Sequence, residues 1–254
     1  MNMVKEIPKT PLRKITHDLY DIIEVEDERT KNGESYFCEL KPLRSFRGNY
    51  GVPRLLGNHV VKGFFYTEIN ELNVLESLHN NYIEEMNKYI PVIETQTVRE
   101  GNLMYLLQPF LQGVTYEKML ECDFSLEQKS QAFQELLTQS LELIMESDKI
   151  IGIDGKPENW ICGCNEWKFI DTFPPFMIDD KNTFAQIFNL RGFEKDFANN
   201  PDRTYFRNPT KIIRRLWLKA KKFDPEPDYK RLALDVVQRM GLPRSVYRNV
   251  MRLK

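Results

Sequence analysis

Between residues 154 and 171 the chain places Asp154-Gly-Lys-Pro-Glu-Asn159 ahead of two short β-rich runs, Trp160-Ile-Cys162 and Trp167-Lys-Phe-Ile170, which flank Gly163-Cys-Asn-Glu166. Two such runs about a glycine-containing turn predict a hairpin. Its return brings Asn159 next to Asp171, and the tight Gly/Pro loop before it carries Asp154 to the same end. No other stretch constrains the fold as much, because an amide and two acids must converge at the mouth of one hairpin. An amide oxygen and a carboxylate in that position form a hard-oxygen pair suited to magnesium, which takes few protein ligands and completes its octahedron with waters and substrate phosphates. Taken alone, Asp, Gly, Pro and Asn are also ordinary turn formers, and the bland reading of the loop is a solvated turn.

The order of the other elements gives the loop its context. Residues 19–41 alternate apolar and polar about Lys31-Asn32-Gly33-Glu34, a hairpin signal. Residues 42–58, with Pro42, Gly48, Gly51, Pro53 and Gly57, read as a long loop, and His59-Val-Val-Lys62-Gly-Phe-Phe65 reads as a short strand. From Glu68 the spacing of Ile69, Leu72, Leu75 or Glu76, and Leu78 predicts a helix running toward Tyr89, stopped by Pro91. Residues 92–98 and 103–110 predict two strands about Arg99-Glu-Gly-Asn102. A short helix over 116–122 leads into a long amphipathic helix over 125–147, whose Ser125-Leu-Glu-Gln128 start has the pattern of a capping box. Beyond the 154–171 hairpin the chain reads as helix and loop, with Leu216-Trp217-Leu218 and residues 232–240 as core contributions. Strands, one helix, strands and then helices predict an α+β fold in two lobes. Residues 1–112 form the sheet-bearing N-lobe with its one main helix, and residues 113–254 form a mainly helical C-lobe.

Composition narrows the functional classes. At 254 residues the chain is long enough to bury a sizeable core. Its 36 Lys and Arg nearly balance 37 Asp and Glu, so the net field gives no reason to expect nucleic acid or an anionic membrane as the main partner. Cys38, Cys122, Cys162 and Cys164 lack the paired spacing of a zinc site, and they read as reduced thiols. His17, His59 and His79 are scattered, which gives a histidine nucleophile little support. The N-terminal residues show no apolar signal region and no apolar run in the sequence approaches the length needed to cross a bilayer, so the expected location is the cytoplasm.

The loop Asp154-Gly-Lys-Pro-Glu-Asn159 resembles the catalytic loop of the protein-kinase-like superfamily, which includes the aminoglycoside and choline phosphotransferases, and Asp171-Thr-Phe resembles its metal-binding segment. The resemblance extends in element order over about residues 19–180. It implies a bilobal kinase-like fold with ATP and Mg2+ as cofactors. In it Asp154 is the base for the acceptor hydroxyl, Asn159 and Asp171 are metal ligands, and Lys62 is the phosphate-binding lysine. Glu71 is the partner of Lys62, with Glu68 or Glu76 as substitutes, and backbone groups near Gln108 and Phe110 meet adenine. Lys156 either neutralises the transferring phosphate or faces water.

Pro174-Pro175 directly after the metal segment, without an Ala-Pro-Glu ending, makes the small-molecule branch the better fit. The first expectation is therefore a phosphotransferase that moves the γ-phosphoryl group of ATP to a hydroxyl of a small molecule. Gly152-Ile153-Asp154 lacks the usual histidine, Thr172-Phe173-Pro174 replaces the usual glycine, and no Gly-x-Gly-x-x-Gly loop is present. Those departures define the alternative, a non-catalytic kinase-like binding or regulatory protein. A third reading is a protein kinase with a shortened substrate segment. The run from Lys211 to Lys222, six cations among apolar residues, reads as a helix with one buried stripe or as a patch for an anionic substrate.

Overall fold

A computed structural model describes residues 54–56, 59–66, 69–100, 103–163, 166–179, 182–187 and 192–253. The hairpin expected over 19–41 and most of the loop expected over 42–58 lie outside them. The chain divides into two compact units, Met1–Thr67 with Glu94–Phe110, and Glu68–Ile93 with Leu111–Lys254. The helix that the sequence reading grouped with the first strands thus belongs to the second unit, and the 1–112 and 113–254 division changes accordingly.

The first unit holds a four-stranded antiparallel sheet of β1 (Arg54–Leu56), β2 (His59–Tyr66), β3 (Gln96–Glu100) and β4 (Leu103–Pro109), in the order β1-β2-β4-β3. β4 has ladder partners on both edges, and its residues 104–108 are all buried, as an inner strand permits. β1 is a correction to the expected loop: its three residues pair with β2, Leu56 opposite His59. β3 begins four residues later than the strand expected from Val92, because Val92 instead makes a parallel bridge to Phe169 in the second unit.

The second unit begins with α1 (Ile69–Met86), which buries Leu72, Leu75, Leu78 and Tyr82, while Ile69 is exposed in its first turn. After β5 (Val114–Thr115) and α2 (Tyr116–Glu121) comes α3 (Leu126–Glu146), started by the expected capping box. The Gln128 N–H donates to Ser125 Oγ, and the Ser125 N–H donates to Gln128 Oε1. α3 buries Phe133, Leu136, Leu137, Leu141 and Ile144 against α6 (Pro209–Phe223) and α7 (Tyr229–Arg239), with α8 (Arg244–Met251) closing the bundle. Lys129 on α3 and Asp224 at the end of α6 form a buried ion pair at 2.8 Å. Two further antiparallel sheets serve the loop: β5-β7-β8, with β7 (Trp160–Gly163) and β8 (Glu166–Phe169), and β6 (Ile150–Ile151) with β9 (Met177–Ile178). β9 is a strand where only helix and loop were expected. Short helices α4 (Phe184–Ile187) and α5 (Phe193–Asn199) follow it. The architecture is α+β, and among the described residues no helix is long and apolar enough to cross a membrane.

Candidate active site

The β7–β8 hairpin forms as its sequence predicts, with Trp160 opposite Phe169 and Gly163 opposite Glu166. The rings of Trp160 and Phe169 pack edge to face at 5.1 Å, and the Ile170 N–H donates to the Asn159 carbonyl at 2.9 Å. The hairpin mouth is therefore closed by its own side chains and backbone. On the other side, the Phe169 N–H donates to the Pro91 carbonyl and the Ile93 N–H to the Phe169 carbonyl, which clasps β8 against the segment after α1.

The loop before the hairpin is built from short-range bonds. Pro157–Asn159 forms one 3-10 turn, entered by an Lys156 N–H bond to the Asp154 carbonyl at 2.8 Å. Asn159 is buried, and its Nδ2 donates to the Asp154 carbonyl at 2.8 Å and to Asp171 Oδ2 at 3.1 Å. One amide thus fixes both acids relative to each other. Because Nδ2 makes these bonds, Oδ1 is the atom that Asn159 offers as a ligand. With the Asp171 carboxylate it provides two hard oxygen donors, and the set fits magnesium, which needs few protein ligands. Among the described residues no group of three or more His, Cys, Asp or Glu side chains forms a denser metal cluster.

Asp154 carries two cations. Its Oδ2 lies 2.8 Å from Lys156 Nζ, and its Oδ1 lies 2.8 Å from Arg215 Nη1 on α6. The N–H of Arg215 is not aimed along that contact, so the pair is a charge contact and not a directed hydrogen bond. The guanidinium instead rests on the Tyr205 ring, 4.1 Å from its centroid, with Phe206 beyond at 5.9 Å. Burial raises the Tyr205 phenol above its ordinary value, with Arg215 opposing and Asp154 adding to the rise. One helical turn from Arg215, Lys219 stands 3.6 Å from Glu158 of the same loop.

Support for the loop comes from beneath. The Gly152 N–H donates to the Phe176 carbonyl at 2.7 Å, the Ile153 N–H donates to the Phe206 carbonyl at 2.8 Å, and the Tyr82 hydroxyl of α1 donates to the Gly152 carbonyl at 2.9 Å. Phe176, Phe197 and Phe206 form one cluster, with the Phe176 and Phe206 rings stacked at 3.6 Å. A Cβ on Gly152 would lie 2.7 Å from Phe197 and 3.0 Å from Phe206. Packing therefore accounts for the glycine: the space that a side chain would need is filled by phenylalanine.

The expected site residues separate into two groups. Asp154, Lys156, Asn159 and Asp171 come together in the second unit. Glu71 lies in the first turn of α1, half-buried, in that unit as well. Lys62, opposite Leu106 on β2, belongs to the first unit. So do Gln108, whose Nε2 donates to Thr95 Oγ1 at 2.9 Å, and Phe110, exposed just past β4. Arg215, Tyr205 and Tyr82 were not singled out from the sequence. The i, i+4 spacing of Lys211, Arg215 and Lys219 was the available signal for the first of them. No family model matches the chain, and no curated protein matches it.

Proposed function

We propose that this chain is an ATP- and magnesium-dependent phosphotransferase with a bilobal kinase-like arrangement, acting in the cytoplasm on a hydroxyl of a small molecule. The observation that carries the reading is the Asn159 amide, which donates to both the Asp154 carbonyl and the Asp171 carboxylate and so ties together the residues read as base and metal ligands. Phosphoryl transfer asks for such positioning more than for covalent chemistry. Magnesium held by Asn159 and Asp171 would supply charge neutralisation on the phosphates. The acceptor oxygen forms a bond to the γ-phosphorus of ATP, and the bond from that phosphorus to the bridging oxygen breaks, its electron pair leaving with ADP. The hydroxyl proton passes to the Asp154 carboxylate. Lys156, paired to Asp154, would neutralise the transferring phosphate in this reading. The roles of Lys62, Glu71, Gln108 and Phe110 in holding ATP rest on the resemblance of their segments.

The test is thermal stability with and without saturating nucleotide, each with and without magnesium. A ligand at a hundredfold its dissociation constant adds about 2.7 kcal/mol to the native state. Stabilisation requiring both components supports the reading, and no shift with either overturns it.

A second reading, a non-catalytic kinase-like binding protein, is favoured by one observation: both Asp154 oxygens already face cations, so an acceptor hydroxyl must compete with Lys156 and Arg215 for the carboxylate. Nucleotide binding without transfer to any acceptor would favour it.

A further inference from the structure

Asp154 meets two cations at once. One carboxylate meets Lys156 and Arg215, while Lys219 and Glu158 offset each other one turn along. Lys156 and Arg215 thus stand beside the group that faces the acceptor, and Asp171, tied to the same loop through Asn159, balances one of them. Arg215 is also placed in a particular way. Its guanidinium is oriented by the face of Tyr205, its contact with Asp154 uses one nitrogen outside hydrogen-bonding geometry, and its side chain keeps 22% of its exposure. A guanidinium has five N–H donors in a planar fork suited to two oxygens of one anion. A stacked, partly exposed arginine that spends one edge nitrogen on a carboxylate is prepared to receive a second one.

We propose that the acceptor is a hydroxy compound bearing an oxyanion, a carboxylate or a phosphate, and that Arg215 selects it by pairing with that group while the hydroxyl meets Asp154. This inference rests on the reading of Asp154 as the residue facing the acceptor. Helix α6 is then the specificity element, and a cationic amino alcohol is disfavoured by the like charge of the Arg215 guanidinium. Tyr205 is a positioning residue, acting through the orientation of the guanidinium.

Calorimetric titration of the full chain with four probes of one carbon skeleton tests it: glycerate, glycerol 3-phosphate, glycerol and 3-amino-1,2-propanediol. The expected result is binding of glycerate or glycerol 3-phosphate at least tenfold tighter than the other two, the tighter of the pair naming the oxyanion. Arg215→Gln should lower that affinity tenfold or more, Arg215→Lys should restore part of it, and magnesium-ATP stabilisation should be the same in all three proteins. The comparison among probes needs only the wild-type protein, so a variant that fails to fold does not remove the test. Equal affinity for charged and neutral probes overturns the proposal, as does an Arg215→Gln protein that keeps the preference. Loss of magnesium-ATP stabilisation in Arg215→Gln with probe binding intact also overturns it, by assigning Arg215 to the nucleotide. Radiolabelled ATP then separates the two readings. A bound oxyanion probe that depends on Arg215 yet receives no phosphate upholds the oxyanion site at Arg215 and removes the phosphotransferase reading. Transfer to glycerol as readily as to glycerate removes this proposal and upholds that reading.

Discussion

The Tyr82 hydroxyl donates to the Gly152 carbonyl at 2.9 Å inside the second unit, so that helix α1 holds the strand entering the Asp154 loop through one buried hydrogen bond. Burial raises the Tyr82 phenol well above its ordinary value, and the nearby Asp171 and Asp154 carboxylates raise it further, so the donor keeps its proton across the working range of pH. Tyr82→Phe removes the donor and leaves the carbonyl buried without it. The expected loss is about 1–3 kcal/mol in chemical denaturation. A variant as stable as the parent would show that the bond contributes nothing net.

Asp171→Asn removes a charge and almost no volume. Under the proposed function it abolishes both the magnesium-dependent part of nucleotide stabilisation and turnover, while the melting temperature of the ligand-free protein is unchanged. Turnover retained in this variant would remove Asp171 from the metal role.

Gly152→Ala tests the packing under the loop. The added methyl group would press on the Phe197 ring and on the Cβ and backbone carbonyl of Phe206, both in the phenylalanine cluster, so relief requires the ring and that backbone to shift. Overpacking of this kind costs about 1–3 kcal/mol. The unfolding free energy from chemical denaturation should fall by that amount, and an unchanged value would mean that the cluster yields freely.

Acid should unfold the protein through two carboxyls. Burial would raise Asp224, but the hydrogen bond from Lys129, the Glu226 N–H and the Lys129 charge outweigh it. Glu85 likewise falls below its ordinary value because Lys88 and Ser147 outweigh its burial. A carboxyl more acidic in the folded state than in the unfolded one contributes stability that is complete above the unfolded value, here 3.8 for Asp224 and 4.5 for Glu85. That contribution is lost as the pH falls through the lowered folded values. Melting temperature should be level down to about pH 5 and decline below it. Asp224→Asn leaves Lys129 buried without its counter-ion, which costs about 3 kcal/mol at neutral pH, and it should flatten the acid decline. An equally steep decline in that variant would assign the acid sensitivity elsewhere.

What could be read from the sequence was what depends on neighbours in the sequence. The capping box of α3 needs only Ser125 and Gln128, and the β7–β8 hairpin needs only its own turn and alternation, so both were legible. The meeting of Asn159 with Asp171 followed from that hairpin. β1 was not legible, because three residues between Pro53 and Gly57 become a strand only by pairing with β2. Val92 looked like the start of β3 and is instead held by Phe169, a partner that no local pattern announces. Arg215 stood in a run of six cations of similar appearance. Only the burial of Ile212, Ile213, Leu216 and Trp217 fixes which side of α6 turns inward, and hence which cation reaches Asp154.

The two cations on Asp154 have different origins. Lys156 is part of the loop itself, so any change that moves the loop moves it too. Arg215 arrives on a helix whose opposite side is anchored by Trp217 and Leu216 in the bundle. The chemistry of the loop and the charge presented beside it are therefore written in separable stretches of the chain. A lineage could retune the second by drift along one helix surface while the first stays untouched, and a graft of that surface from a distant relative should carry its preference with it.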